Sequence, residues 1–111
     1  MTPETLYEKL KSLQEPKGYF FNPDKEFALL LLTSLLANKN RYGYMACPCR
    51  LASDNREKDM DIICPCTYRK PDVEEFGSCF CNLYVSADWI ENRIPRDYVP
   101  ERRPVEKLFS D

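Results

Sequence analysis

The sequence predicts a mainly α protein, a single small domain of about five short helices spanning residues 1–111. Three observations lead there. Apolar residues recur at helical spacing through the first third of the chain, and each such run opens on a capping residue followed by proline. Strand-forming runs are almost absent. A chain of 111 residues is large enough for one hydrophobic core and too small for two. The helices are expected over residues 2–93, with an extended tail over 94–111.

The first helix is expected at residues 2–14, with Thr2 as N-cap, Pro3 at the first helical position and Glu4 in the first turn. Leu6, Tyr7, Leu10 and Leu13 give it one apolar face, and Pro16, Lys17 and Gly18 break it. The second is expected at residues 23–38, with Asn22 as N-cap and Pro23 at its start. Phe27, Leu29, Leu30, Leu31, Leu32, Leu35 and Leu36 cover most of its circumference, which predicts a helix buried at the centre of the domain. Residues 53–63 are expected as a short charged helix with Met60, Ile62 and Ile63 facing inward. Pro71 to Phe76 predicts a helical turn closed by Gly77. Ser86 to Arg93 predicts a capped helix carrying Trp89 into the core. Pro95, Pro100 and Pro104 predict an extended tail over the surface. Tyr84-Val85 is too short to build a sheet.

The net charge of −2 offers no polyelectrolyte argument for nucleic acid or an anionic membrane. The longest apolar run, Phe27 to Leu32, is far too short to cross a bilayer. The opening MTPETLYEKL is polar and does not read as a secretory leader, so a cytoplasmic location is expected. In that compartment thiols are kept reduced, which argues against six cysteines serving as three structural disulfides. Histidine is absent, so any metal site must use thiolates or carboxylates.

All six cysteines fall between positions 47 and 81 as three C-x-C pairs: Cys47/Cys49, Cys64/Cys66 and Cys79/Cys81. The pairs are separated by 14 and then 12 residues. Structural zinc usually takes its paired thiolates at wider spacing, and takes four rather than six. A 4Fe–4S cluster also takes four thiolates, but spreads them over a larger object than one ion. The two cysteines then left over are able to pair as a redox-active disulfide. Iron–sulfur carriers move one electron at a time while disulfide reduction needs two, so a cluster beside a disulfide has a chemical purpose. The spacing leaves two other readings standing: a non-catalytic iron–sulfur electron carrier and a zinc-stabilised interaction domain.

These motifs resemble the catalytic β subunit of ferredoxin:thioredoxin reductase, a family carrying CPC, CPC and CHC in this order with an Arg after the first. Here they stand as Cys47-Pro48-Cys49-Arg50, Cys64-Pro65-Cys66 and Cys79-Phe80-Cys81, followed by Leu83-Tyr84-Val85. The resemblance runs from Cys47 to Trp89 and extends over most of the chain. It implies an oxidoreductase with one 4Fe–4S cluster ligated by Cys47, Cys64, Cys66 and Cys79. It implies a redox-active disulfide between Cys49 and Cys81. Cys49 would attack the substrate disulfide, and Cys81 would be held against the cluster between the two electron transfers. The implied donor is ferredoxin or a rubredoxin-like carrier, and the implied substrate a thioredoxin or glutaredoxin-like protein. Plant members have a second small subunit. The first gap between motifs is shorter and the second longer than in the plant enzyme. Phe80 stands where the plant motif has a His placed to assist proton transfer, and Phe has no titratable group. In this respect the sequence looks more like a stand-alone microbial branch.

Other residues carry weaker readings. Arg50 next to Cys49 is placed to favour its thiolate. Pro48 and Pro65 fix turns and leave nearby amides for sulfur. Lys39, Arg41, Arg56, Lys58, Arg69 and Lys70 suggest a basic dock for an acidic donor, diluted by Asp54, Glu57, Asp59 and Asp61.

Overall fold

The computed structural model describes residues 1–108. Among them are five α-helices, two 3-10 turns and one pair of two-residue strands, so the architecture is mainly α as the periodicity predicts. Helix α1 spans Pro3–Gln14, capped by Thr2, whose side chain accepts from the Thr5 amide. Leu6 is buried on its inner face, but Leu13 is 54% exposed and Gln14 is buried instead. Gln14 turns inward because its Oε1 accepts from Arg69 Nη1 at 2.8 Å.

Strand β1 (Phe20–Phe21) pairs antiparallel with β2 (Tyr84–Val85), Phe20 opposite Val85 and Phe21 opposite Tyr84. The expectation of no sheet at Tyr84-Val85 is therefore corrected. The pairing joins positions more than 60 residues apart, which local sequence pattern does not register. The Phe21 ring stacks on Tyr84 with centroids 5.3 Å apart and on Tyr7 at 4.7 Å, which ties the strand pair to α1.

Helix α2 spans Lys25–Tyr42, starting later and running further than expected. Its N-cap is Asp24, which accepts from the Phe27 amide at 3.1 Å. Asn22 is otherwise engaged: its side-chain amide donates to Asn82 O and its Oδ1 accepts from the Asp24 amide. Ala28, Leu31, Leu32 and Leu35 are buried, whereas Leu30 is 63% exposed. The helix thus presents one face to the core instead of being enclosed. Burying each leucine contributes about 1.5–3 kcal/mol.

Residues 53–63 do not form the expected helix. The segment turns through Asp54 at φ +64° and closes in a 3-10 turn at Met60–Ile62. Its organising group is the fully buried Asp59. That carboxylate accepts from the Ser53 amide, Ser53 Oγ and Tyr44 Oη at 2.8, 2.9 and 2.5 Å. A chain wrapped around an inward carboxylate cannot also follow a helical path. Ile62 is buried as predicted, but Met60 is 66% exposed.

Helix α3 (Arg69–Phe76) ends at Gly77, whose φ of +79° is the left-handed cap predicted for it. Helix α4 is a single turn, Ala87–Ile90, and stops short of the expected end at Arg93; Ser86 accepts from the Trp89 amide and Trp89 is buried as expected. The tail is irregular to Pro104 and then forms one helical turn, α5 (Val105–Leu108); its expected continuation over 109–111 lies outside the described residues. It is not a loose surface extension, because Val99 and Arg103 are buried.

Candidate functional site

Each cysteine pair sits at a tight turn. The Arg50 amide donates to Cys47 O, the Arg69 amide to Cys66 O, and the Asn82 amide to Cys79 O. Asn82 takes the positive φ (+61°) that lets the last turn close. The first two turns are clamped together, with the Cys47 amide on Ile62 O and the Cys64 amide on Met45 O, both at 2.8 Å. The third is held by β2, through the Cys79 amide on Tyr84 O. The Cys64–Pro65 peptide is cis.

The turns bring Cys47, Cys64, Cys66, Cys79 and Cys81 to the lining of one cavity that opens in part to solvent. Cys49 is exposed and does not line it, while Cys47, Cys79 and Cys81 are buried. All six are free thiols, and Cys47 Sγ lies 2.9 Å from Cys81 Sγ. The Tyr84 amide donates to Cys79 Sγ at 3.3 Å, the kind of contact that steadies a thiolate ligand. Among the described residues no three cysteine or carboxylate groups converge on a point that would hold a single ion.

Two arginines share the cavity lining, and each lies close to two aromatic rings. Arg50 lies 4.4 Å from the Phe80 centroid and 5.2 Å from that of Tyr68. Arg69 lies 3.8 Å from Tyr19 and 4.8 Å from Tyr84. The Arg50 side-chain hydrogen bonds go to groups other than its neighbour Cys49: its Nη1 stands 3.7 Å from both Cys47 Sγ and Cys66 Sγ. Its Nε and Nη2 donate to Glu101 at 2.8–3.1 Å. The anticipated Arg50–Cys49 pairing is therefore not its main contact. Arg69 is engaged with rings and Gln14, so it is not part of a free basic dock.

The electrostatics follow this geometry. Burial pushes the Cys64 thiol well up and that of Cys79 to about 11, so thiolates here require a compensating cation. Cys49 is held down at about 4, first by its interactions with the Cys47 and Cys81 thiols, against a burial effect, with Arg50 adding a smaller pull. The phenol of Tyr84 is pushed above its usual range by burial, and its Oη is buried without a hydrogen-bond partner. Thiols from three turns lining one cavity, a backbone donor already aimed at sulfur and an orphaned phenol beside them fit a thiolate-ligated iron–sulfur group.

Sequence reasoning missed Glu101, Tyr68 and Tyr84 as parts of this site. Glu101 escaped because its partner Arg50 lies 51 residues away in sequence.

Fold and site together define a small, mainly α thiol protein whose cysteines surround a site suited to a prosthetic group. The family described as "Ferredoxin thioredoxin reductase catalytic beta chain" matches residues 2–106, and the chain belongs to that family. Relatives include the "Ferredoxin-thioredoxin reductase, catalytic chain" of Porphyra purpurea, 29% identical over 73 residues, covering 64% of this chain and 58% of the relative. The protein of the same description from Guillardia theta is 31% identical over 71 residues, covering 62% of this chain and 66% of the relative. The match thus spans less than two thirds of either relative's length. No helix among the described residues is long and apolar enough to cross a membrane.

Proposed function

We propose that the chain is an iron–sulfur disulfide reductase, acting as one domain in the cytoplasm and reducing a thioredoxin or glutaredoxin-like protein. The observation that carries this reading is the division of the cysteines: five face one cavity while Cys49 stands outside it, exposed. Cys47, Cys64, Cys66 and Cys79 hold a 4Fe–4S cluster, which supplies electrons one at a time from ferredoxin or a rubredoxin-like donor.

Cys49 and Cys81 carry the thiol chemistry. Two electrons and two protons open the Cys49–Cys81 disulfide. The Cys49 thiolate attacks the substrate disulfide, forming a mixed disulfide and releasing one substrate thiolate, which takes a proton. The Cys81 thiolate then attacks Cys49 Sγ, restoring the internal disulfide and releasing the second substrate thiol. The buried position of Cys81 keeps it from competing for substrate, and the exposure of Cys49 lets another protein's disulfide reach it. Phe80 carries no proton in this scheme.

The test is anaerobic. Protein as purified should carry about four irons and four sulfides per chain, and should reduce a thioredoxin with ferredoxin or rubredoxin as donor. Cys49→Ser should abolish turnover and retain iron. Cys81→Ser should stall at the mixed disulfide. Colourless protein with one zinc per chain, or full activity in Cys49→Ser, would overturn the assignment. A cluster without any thiol turnover would make the chain a carrier.

A further inference from the structure

We infer that Arg50 is a positioning residue for this site: a fixed positive charge, aimed at Cys47 and Cys66 by the tail carboxylate of Glu101, that sets the site's reduction potential. Phe80 acts by holding Arg50 in place. The inference rests on the proposed division of the cysteines.

The geometry separates three functions within one side chain. Two guanidinium nitrogens, Nε and Nη2, are fixed on Glu101, leaving Nη1 as the one aimed at sulfur. Its two sulfur contacts are equal at 3.7 Å, so the charge sits between two different cysteine turns. The Phe80 and Tyr68 rings both lie against the guanidinium, with centroids at 4.4 and 5.2 Å. The side chain is 2% exposed, so its field is poorly screened. Such a group has no freedom to follow a proton or a substrate. It is a permanent charge, because a guanidinium does not deprotonate in proteins.

Phe80 gains a purpose from this arrangement. A titratable ring at that position would change charge with pH, directly against the guanidinium. A phenyl ring packs on Arg50 and leaves its charge constant. The potential is then set by groups that do not titrate near neutrality: Arg50, opposed by the single carboxylate of Glu101. A positive charge against the ligand sulfurs favours the more reduced, more negative state of the site, and Glu101 offsets part of that effect.

The experiment measures the midpoint potential of the loaded protein by anaerobic redox titration, followed in the visible spectrum and by electron paramagnetic resonance. Arg50→Met should make reduction at least tenfold less favourable, a downward shift of about 59 mV for one electron. Arg50→Lys should recover part of it, since the charge returns without the fork. Glu101→Gln keeps an acceptor for Arg50 and removes the opposing charge, so its potential should rise. That variant also serves where Arg50→Met fails to retain iron. Arg102→Gln loosens the tail at Asp72 and Glu75 without touching Arg50, and should shift the potential far less. These differences should be independent of pH between about 6 and 9, because arginine does not titrate there.

Shifts of the same sign in Arg50→Met and Glu101→Gln would show loss of packing and overturn the inference. So would potentials unchanged in both. Protein that holds no iron in its wild-type form would overturn the cluster reading and this inference together, whereas loaded protein indifferent to Arg50 would overturn this inference alone.

Discussion

Replacing Arg103 by Met is expected to cost about 3 kcal/mol of stability, the low end of the range for removing one partner of a buried ion pair. The figure comes from the burial of the groups involved. Arg103 is 5% exposed, Asp61 10% and Asp59 1%. The guanidinium donates to Asp61 at 2.9 and 3.3 Å and to Lys58 O at 3.2 Å, and stands 3.7 Å from Asp59. Both carboxylates keep other partners: Asp61 has Tyr68 Oη at 2.7 Å, and Asp59 has Tyr44 and Ser53. That retention places the loss at the lower end of the range. A domain of this size has only about 5–15 kcal/mol in total, so the midpoint temperature should fall by roughly 12 °C or more. Anaerobic urea unfolding followed by far-ultraviolet circular dichroism, with unchanged denaturant slope, measures the difference. A double-mutant cycle with Asp61→Asn should return a coupling of about 1–3 kcal/mol. A loss below about 1 kcal/mol would place the pair with ordinary surface ion pairs and refute the reasoning.

The same pair predicts the acid limb. Burial alone would raise the Asp61 carboxyl, but Arg103, Tyr68 and Lys107 more than reverse this, so its folded value lies below the usual one. A depressed value means the stabilisation is present above about pH 4 and is lost as pH falls through the folded value. Arg103→Met should flatten that limb in a pH series of urea midpoints. Gly77→Ala should destabilise by about 1–3 kcal/mol, since φ there is +79° and a Cβ would also press on the Ile94 side chain; a neutral result in thermal melts would contradict the left-handed cap of α3. Tyr84→Phe should speed iron loss under chelator challenge by removing the orphaned phenol donor; unchanged retention would show that Oη does not serve the bound group.

Much of the helical frame was legible because its determinants are local. Thr2 and Ser86 cap the helices assigned to them, and Gly77 ends α3, since caps depend on a few adjacent residues. The grouping of the cysteines was legible from their spacing. The features that escaped were set by contacts distant in sequence. Asn22 was taken from its capping role by Asn82, and Gln14 was drawn inward by Arg69. The segment 53–63 has helix-compatible composition, but the buried Asp59 overrides that weak preference. The expected pull of Arg50 on the Cys49 thiol is present but small, while its hydrogen-bonded contacts with Cys47, Cys66 and Glu101 were not legible. Only the folded tail reveals that Glu101 decides where Arg50 points.

The position of Glu101 along the chain separates the sulfurs from the group that orients the charge beside them. Every cysteine precedes it in sequence, with Cys81 the last of them. The carboxylate that holds Arg50 against Cys47 and Cys66 comes from the tail, 51 residues beyond the arginine. Truncation or substitution in the tail therefore releases the guanidinium without altering a single cysteine.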